Sequence, residues 1–210
     1  MKTKLLTIIL VSLLYFFNGC DTSMKDSSMK DSRDGQTYKT VKIGKQVWMA
    51  ENMNYDIKDS YCYEDSPENC EKYGRLYTWA AANYVCPEGW HLPTKEEFET
   101  LMSNVGGIET AGKMLKSKQG WDSYEHEFEH ALQDGNGIDK YGFNVLPAGY
   151  AYSGTGDFLG AGGSAYFWSA TEYDEDYAYY LDLIYSDEDA FLNNNNKDDA
   201  NSVRCLRGSN

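Results

Sequence analysis

The segment HEFEH, residues 126–130, has the spacing that binds zinc in one class of metalloprotease. On a helix, His126 and His130 would lie one turn apart and bind the metal, and Glu127 would act as the general base. The same helix would turn both histidines about 160° away from Phe128 on its apolar face, toward solvent. No third histidine follows at the metzincin spacing. We therefore expect no enzymatic activity, and a metal-dependent enzyme using His126 and His130 stays as the disfavoured alternative.

The first residues of the chain have the pattern of a bacterial lipoprotein signal peptide. Two lysines precede a mostly apolar stretch, residues 5–17, which as a helix would rise only about 20 Å against a hydrocarbon core of about 30 Å. Such a stretch is a signal peptide rather than a membrane span. It is followed by Asn18, Gly19 and Cys20, which resemble a lipoprotein cleavage box. We expect residues 1–19 to be removed and Cys20 to carry the lipid anchor, with secretion without lipidation as the alternative.

Residues 20–33 read as a flexible tether between this anchor and a domain spanning residues 34–210. The pentad SMKDS occurs twice in the tether, at 23–27 and 28–32, and after Cys20 methionine is the only apolar residue type. We expect a protein held by the lipid on the bacterial outer membrane or cell surface, with the domain in an aqueous compartment.

Four cysteines remain beyond Cys20: Cys62, Cys70, Cys86 and Cys205. An even number in an exported chain indicates two disulfides, for which three connectivities are possible. We favour Cys62 with Cys70, which closes a short polar loop, and Cys86 with Cys205, which ties the middle of the domain to its end. The spacings fit no zinc pattern, and we expect no cofactor.

Charge and side-chain composition restrict the partners. With 33 acidic and 19 basic residues, the chain has a formal charge of −14, which makes nucleic acid a poor partner. The acidic run 174–199 could hold calcium, but no twelve-residue calcium loop is present, and hairpin turns are the favoured interpretation. Tyrosines near loops could stack on sugar rings or on a protein partner. The candidates are Tyr150, Tyr152, Tyr173, Tyr177 and Tyr180.

The elements that would position these residues are two short helices followed by antiparallel strands. A hairpin with a three-residue loop around Gly44 is expected in residues 38–49, because that register collects its apolar residues on one face. Residues 74–83 predict a first helix. Thr94 and Glu97 form a capping box at the start of a second, and His91 just before it has no obvious acidic partner.

Five strands are then expected between turn-forming clusters, which makes an α+β domain. They are Tyr141–Leu146, Tyr166–Ala170, Tyr179–Tyr185, Ala190–Asn193 and Ser202–Leu206.

A series of segments in order along the chain resembles the Fibrobacter succinogenes major paralogous domain. These segments are DGQTYKTVKIGKQVWMAENMNY, YGRLYTWAAA, CPEGWHLPTKEEFETL, YGFNVLPAGY, YFWSATE, AYYLDL and SVRCLRG. The resemblance implies a C-type lectin-like fold related to sulfatase-modifying domains, in which two short helices pack on disulfide-stapled antiparallel sheets. It also supports the bridge between Cys86 and Cys205.

The resemblance implies little about activity. The Glu-Pro-Asn and Trp-Asn-Asp motifs of calcium-dependent lectins are missing, although Trp168 and Glu172 lie at a comparable place. A copper-holding cysteine pair is missing too, since Cys205 is expected in a disulfide. We therefore expect a surface lipoprotein with a noncatalytic binding or adhesion module for polysaccharide or a cell-envelope protein. A structural subunit of a surface layer is the alternative.

Overall fold

The computed structural model describes residues 27–125 and 131–208. The expected signal peptide at residues 1–19, Cys20 and the histidine motif at 126–130 lie outside these residues. The α-helices are α1 Pro67–Tyr73, α2 Trp79–Val85, α3 Lys95–Asn104 and α4 Ile108–Leu115, and Tyr63–Asp65 is a short 3-10 helix. The strands are β1 Ser27–Lys30, β2 Thr37–Ile43, β3 Gln46–Met49, β4 Ser60–Tyr61, β5 Leu76–Thr78, β6 Trp90–His91, β7 Ser123–Glu125, β8 Leu132–Asp134, β9 Ala148–Tyr152, β10 Asp157–Ala161, β11 Ser164–Glu172, β12 Tyr177–Ile184, β13 Phe191–Asn196, β14 Ala200–Asn201 and β15 Leu206–Arg207.

These strands form two main sheets and one separate hairpin. The smaller sheet has the order β1-β2-β3-β15-β6, so the last strand of the chain pairs beside the first hairpin. The larger has the order β13-β12-β11-β9-β14-β5-β4, with β10 paired to β9. Nearly all pairings are antiparallel; β9 and β11 pair in parallel. The α+β class is therefore confirmed, with four α-helices in the described residues where two were expected.

Two hydrophobic cores lie on opposite faces of the sheets. The first joins Trp48, Phe98 and Phe167 with residues of α3 and α4. The second joins Met49 and Trp168 with α2. Adjacent residues such as Trp48 and Met49 enter different cores because successive side chains of a strand point to opposite faces. The sheets are thus covered on both faces over much of their length.

This arrangement corrects the expected loop of the first hairpin. Ile43 pairs with Gln46, so the loop has two residues, with Gly44 at a positive φ of 60°. Val41 then pairs with Trp48, and these two face the first core, whereas Met49 faces the second. The three-residue loop was wrong because it assumed that only one face of the hairpin is buried.

The boundary between tether and domain is also earlier than expected. The second SMKDS pentad enters β1, in which Met29 pairs with Tyr38 and packs against the second core. Asp31 is fully buried and accepts hydrogen bonds from the Arg33 guanidinium at 2.6–3.2 Å. A flexible tether through residue 33 is therefore wrong for residues 27–33. Composition could not reveal that a neighbouring strand supplies backbone partners to this polar segment.

Three further expectations about local structure were wrong. The expected strand Ser202–Leu206 is not one strand, because β14 ends at Asn201 and β15 begins only at Leu206. Leu76–Thr78 forms β5, and the helix starts only at Trp79, where the Thr78 side chain caps it by accepting a hydrogen bond from Ala81 N. The expected strand at Tyr141–Leu146 is a loop in which Val145 makes an isolated bridge to Lys116. Asn144 in this loop has a positive φ of 52°, which interrupts an extended strand.

The predicted helix after Thr94 is confirmed, and its cap supplies a partner for His91. Thr94 Oγ1 accepts a hydrogen bond from Glu97 N at 3.3 Å, and Thr94 N donates to Glu97 Oε2 at 2.8 Å. His91 Nε2 lies 2.9 Å from both carboxylate oxygens of Glu97. The expectation that His91 lacks an acidic partner was therefore wrong. The capping box draws Glu97 back toward the residues that precede the helix.

Both favoured disulfides are confirmed. Cys62 bonds to Cys70, eight residues later, and Cys86 bonds to Cys205 across 119 residues. In a chain-entropy model, a loop of the second length contributes about 4–5 kcal/mol to stability. This bond fixes the end of the chain to the segment between α2 and α3.

Candidate functional site

The structure separates the five candidate tyrosines into two groups. Tyr150 and Tyr152 lie on β9, and Tyr180 lies on the even-numbered face of β12 and is buried. Tyr173 and Tyr177 are exposed at the turn between β11 and β12. Since Tyr177 is odd-numbered in β12, its side chain starts from the opposite face to that of Tyr180. The five tyrosines therefore do not form one site.

Tyr150 belongs to a row of side chains that crosses five strands of the large sheet on one face. In strand order its members are Leu159, Tyr150, Tyr166, Asp182 and Phe191. Leu159 pairs directly with Tyr150, and Asp182 pairs directly with both Tyr166 and Phe191. The parallel pairing of β9 with β11 brings Tyr150 beside Tyr166. We call these five residues the tyrosine row.

The rings in and beside this row are close together. The ring centroids of Tyr150 and Tyr166 are 5.0 Å apart, and those of Tyr166 and Tyr180 are 4.7 Å apart. Tyr150 and Tyr166 are partly exposed, and Leu159 and Phe191 at the two ends are exposed by 41% and 38%. The middle and both ends of the row thus offer apolar surface to solvent.

Asp182 places a carboxylate within this aromatic surface. It is only 5% exposed; one of its oxygens, Oδ2, accepts a hydrogen bond from Asn193 Nδ2 at 2.9 Å, and Oδ1 has no partner in the described residues. Burial raises the pKa of Asp182 to about 6, against the opposing effect of the Asn193 hydrogen bond. Strongly shifted groups of this kind concentrate at functional sites.

A second buried polar side chain lies beside the row. Ala200 pairs with Ala151, which puts the next residue of β14, Asn201, beside Tyr150 on the same face. Asn201 is fully buried, and neither its Nδ2 nor its Oδ1 has a hydrogen-bond partner in the described residues. Unsatisfied buried polar groups destabilise a fold by about 1–3 kcal/mol each, so their presence here is unusual.

Sequence reasoning missed Tyr166, Asp182 and Asn201 as members of this region. A signal was present in the sequence of β12, YAYYLDLI. Leu181 and Leu183, on either side of Asp182, both face the first core. Because side chains alternate along a strand, Asp182 lies on the opposite face, together with Tyr180. An acidic residue two positions after a tyrosine in a strand lies on the same face as that tyrosine, and so indicates a polar position within an aromatic face.

The other candidate chemistries receive no support from the described residues. Trp168 is fully buried and donates from Nε1 to Tyr77 O at 2.8 Å, while exposed Glu172 lies 3.6 Å from Lys197 Nζ. No cluster of three or more histidine, cysteine or acidic side chains that could hold a metal occurs in residues 27–125 and 131–208.

The acidic run contains turns, as favoured. Asp174 Oδ1 accepts hydrogen bonds from the backbone of Asp176 at 3.0 Å and of Tyr177 at 2.9 Å. Asp199 Oδ1 accepts from Ser153 N and Oγ at 2.8 and 2.7 Å. These carboxylates therefore stabilise loops of the large sheet.

The residues on either side of the histidine motif form a hairpin. Tyr124 pairs with Gln133 between β7 and β8. Trp121, just before this hairpin, is buried, whereas Leu132 in β8 is exposed by 76%. The flanking residues are therefore strands and not helical, and the motif itself lies outside the described residues.

Comparison with known proteins identifies one family. The family model described as Fibrobacter succinogenes major domain matches residues 41–207. No curated protein and no solved structure matches the chain. In the part of the chain that the structure describes, the helices are all too short to cross a membrane.

Proposed function

The chain belongs to the Fibrobacter succinogenes major domain family, and we propose that it is a noncatalytic binding module that a lipid anchor holds at the bacterial outer membrane or cell surface. The observation that carries the binding role is the tyrosine row, with its partly exposed rings and its buried carboxylate. We propose a polysaccharide as the ligand.

Aromatic rings bind sugars by packing against the C–H faces of pyranose rings, and tyrosine also offers a hydroxyl to the sugar hydroxyls. The row provides two adjacent partly exposed tyrosines, Tyr150 and Tyr166, and apolar side chains at both ends. An elongated ligand that follows the row would lie across all five strands. The carboxylate of Asp182 and the acidic charge of the chain would repel anionic chains, so the proposed ligand is a neutral polysaccharide.

Within the α+β class, we propose that the fold is C-type lectin-like. Two features support it: the last strand, β15, pairs with the first hairpin at Leu206 and Trp48, and a disulfide from the middle of the chain joins the last segment at Cys205. This fold would present the large sheet and its loops as a rigid binding scaffold.

The proposed anchor, Cys20, would hold the domain near the membrane. Six residues, 21–26, separate Cys20 from the first residue of β1. Six residues span at most about 20 Å when fully extended. Because β1 takes the second pentad into the domain, the distance between anchor and fold is about half of what a tether through residue 33 would allow.

A polysaccharide and glycan array tests this function. The full chain carrying Cys20→Ser, which cannot be acylated at that position, is applied with calcium and again with a chelator. We expect retention on neutral polysaccharides that the chelator leaves unchanged, because stacking on tyrosine requires no metal. Binding that vanishes with the chelator would contradict the role of the row, and the absence of binding on every surface would contradict the polysaccharide ligand.

One observation favours the alternative, a structural subunit of a surface layer. Strand β13 is an edge of the large sheet and runs over six residues, FLNNNN. An open edge of this length is a template for pairing with another chain. Sedimentation of the purified chain distinguishes the two functions. Concentration-dependent assembly that Asn194→Pro abolishes would favour the structural role.

A further inference from the structure

A cavity of about 240 Å³ lies away from the tyrosine row, between the first hairpin and the C-terminal end of α1. Its wall includes Tyr38, Asn52, Asn54, Lys72, Asn144 and Arg204. Arg204 is only 1% exposed. We call this space the Arg204 cavity.

Arg204 is a buried cation without an acidic partner. It donates from Nε to Asn52 Oδ1 at 2.8 Å and from Nη2 to Asn144 O at 2.9 Å, and Nη1 donates to Phe143 O. No carboxylate of the described residues forms an ion pair with it, although the rings of Phe143 and Phe167 lie against its guanidinium. Burial lowers the pKa of Arg204 to about 9, so it is charged at neutral pH.

Through these three hydrogen bonds Arg204 holds the loop at residues 143–144, but their acceptors are neutral oxygens that do not balance the positive charge of the guanidinium. A guanidinium has five N–H groups, and the three bonds leave two for another acceptor. Asp139 and Glu51 favour the charged form but make no ion pair with Arg204, so burial of the guanidinium stays unfavourable, and an anion in the cavity would reduce this penalty. A carboxylate suits a guanidinium best, because both are planar and can form paired hydrogen bonds.

The cavity wall also contains a hydrogen-bond acceptor without a donor in the described residues. Asn54 Oδ1 is buried there and has no partner in the described residues, while Asn54 N donates to the Tyr38 hydroxyl at 3.2 Å. Glu51, Glu71 and Lys72 line the same cavity, so acidic residues outnumber lysines on its wall. A ligand with only an anionic group would leave Asn54 Oδ1 unsatisfied and would lie near two acidic residues and one lysine.

We propose that the Arg204 cavity binds a small carboxylate that also bears an amino or hydroxyl group. The carboxylate pairs with Arg204, and the donor group faces Asn54 Oδ1 and the acidic part of the wall. This site is independent of the polysaccharide site, because the residues that line it are not members of the tyrosine row.

Calorimetric titration of the full chain carrying Cys20→Ser tests the proposal with four probes. Alanine and lactate have a carboxylate and a donor, propionate lacks the donor, and alaninamide lacks the carboxylate. We expect alanine or lactate to bind at least tenfold more tightly than propionate, and alaninamide to show no binding. The stronger of alanine and lactate identifies the donor as amino or hydroxyl.

Two variants and a matched control locate the site. Asn54→Ala should reduce the affinity for the better probe to that for propionate and leave propionate binding unchanged. Arg204→Lys should weaken both, since lysine lacks the planar fork. Lys118→Gln removes an exposed cation that does not line the cavity and should change nothing. The proposal is overturned if alaninamide binds as well as alanine, if no probe binds at millimolar concentration, or if Lys118→Gln and Asn54→Ala have equal effects.

Discussion

The tyrosine row and the Arg204 cavity each contain one buried ionisable side chain, but the two side chains differ in how many hydrogen bonds compensate their burial. Asp182 in the row has one hydrogen bond and an oxygen with no partner in the described residues. Arg204 has three hydrogen bonds and aromatic rings against its guanidinium. The first charge is poorly compensated by its surroundings, whereas the second holds neighbouring backbone in place. Removal of the two charges should therefore change stability in opposite directions.

Arg204→Met gives the largest expected effect. The substitution leaves the buried carbonyl of Phe143, the partly buried carbonyl of Asn144 and the amide oxygen of Asn52 without their donor. At about 1–3 kcal/mol for each unsatisfied group, partly relieved by relaxation, we expect the unfolding free energy to fall by about 3–5 kcal/mol. Urea unfolding measures this change. A loss below about 1 kcal/mol would show that the Arg204 contacts contribute little to the fold.

Asp182→Asn should have the opposite sign and should depend on pH. A carboxyl whose pKa is raised in the folded state destabilises the protein above that pKa and has no such effect below the unfolded pKa. The pKa of Asp182 rises from 3.8 to about 6 on folding, which corresponds to about 3 kcal/mol. Relative to Asp182→Asn, the wild-type chain should lose about 2 kcal/mol of stability between pH 4 and pH 7.

Unfolding at pH 4 and pH 7 provides the check. Because the comparison is made between two pH values, a constant effect of the new amide on packing cancels. Asp157→Asn, an exposed acid on β10, serves as the control and should keep the wild-type dependence on pH. Parallel curves for wild type and Asp182→Asn would contradict the buried, poorly compensated carboxylate.

Tyr166→Ala tests whether the row or the distant turn binds the ligand. Loss of one stacked ring should weaken binding to the polysaccharide selected on the array by about tenfold. Tyr173→Ala is the matched control, since Tyr173 is more exposed but lies at the β11–β12 turn. Affinity electrophoresis compares the two variants. An equal loss from both would mean that the ligand also covers the turn.

Asn193→Ala should have the smallest effect. It removes the hydrogen bond to Asp182 Oδ2, which opposes the effect of burial on that carboxyl. The pKa of Asp182 should rise further, and stability at pH 7 should fall by about 1 kcal/mol. NMR titration of the Asp182 carboxyl carbon follows the shift. An unchanged or lower pKa would show that Asn193 does not stabilise the ionised form.

The sequence predicted the parts of this molecule that local patterns determine. The capping box at Thr94 and Glu97 needs only residues three apart, and its hydrogen bonds form as expected. The disulfide between Cys86 and Cys205 could be chosen because few connectivities exist. The family was recognised from ordered motifs, and the family model confirms it.

The parts that long-range contacts determine were missed. The loop of the first hairpin was wrong because Met49 is buried on the face opposite Trp48, against a different core. The strand at Ser27–Lys30 was missed because its stabilising contacts come from β2 and not from its own polar side chains. The tyrosine row was only partly visible because strand order, which places Tyr150 beside Tyr166, cannot be read from spacing along the chain.

The most direct test of the central claim is a titration of the full chain carrying Cys20→Ser with soluble neutral oligosaccharides, followed by NMR of labelled tyrosine rings. Ligand binding on the tyrosine row predicts that the ring signals of Tyr150 and Tyr166 shift first, whereas those of Tyr173 and Tyr177 stay in place. Shifts confined to Tyr173 and Tyr177, or no shift with any oligosaccharide, would contradict it.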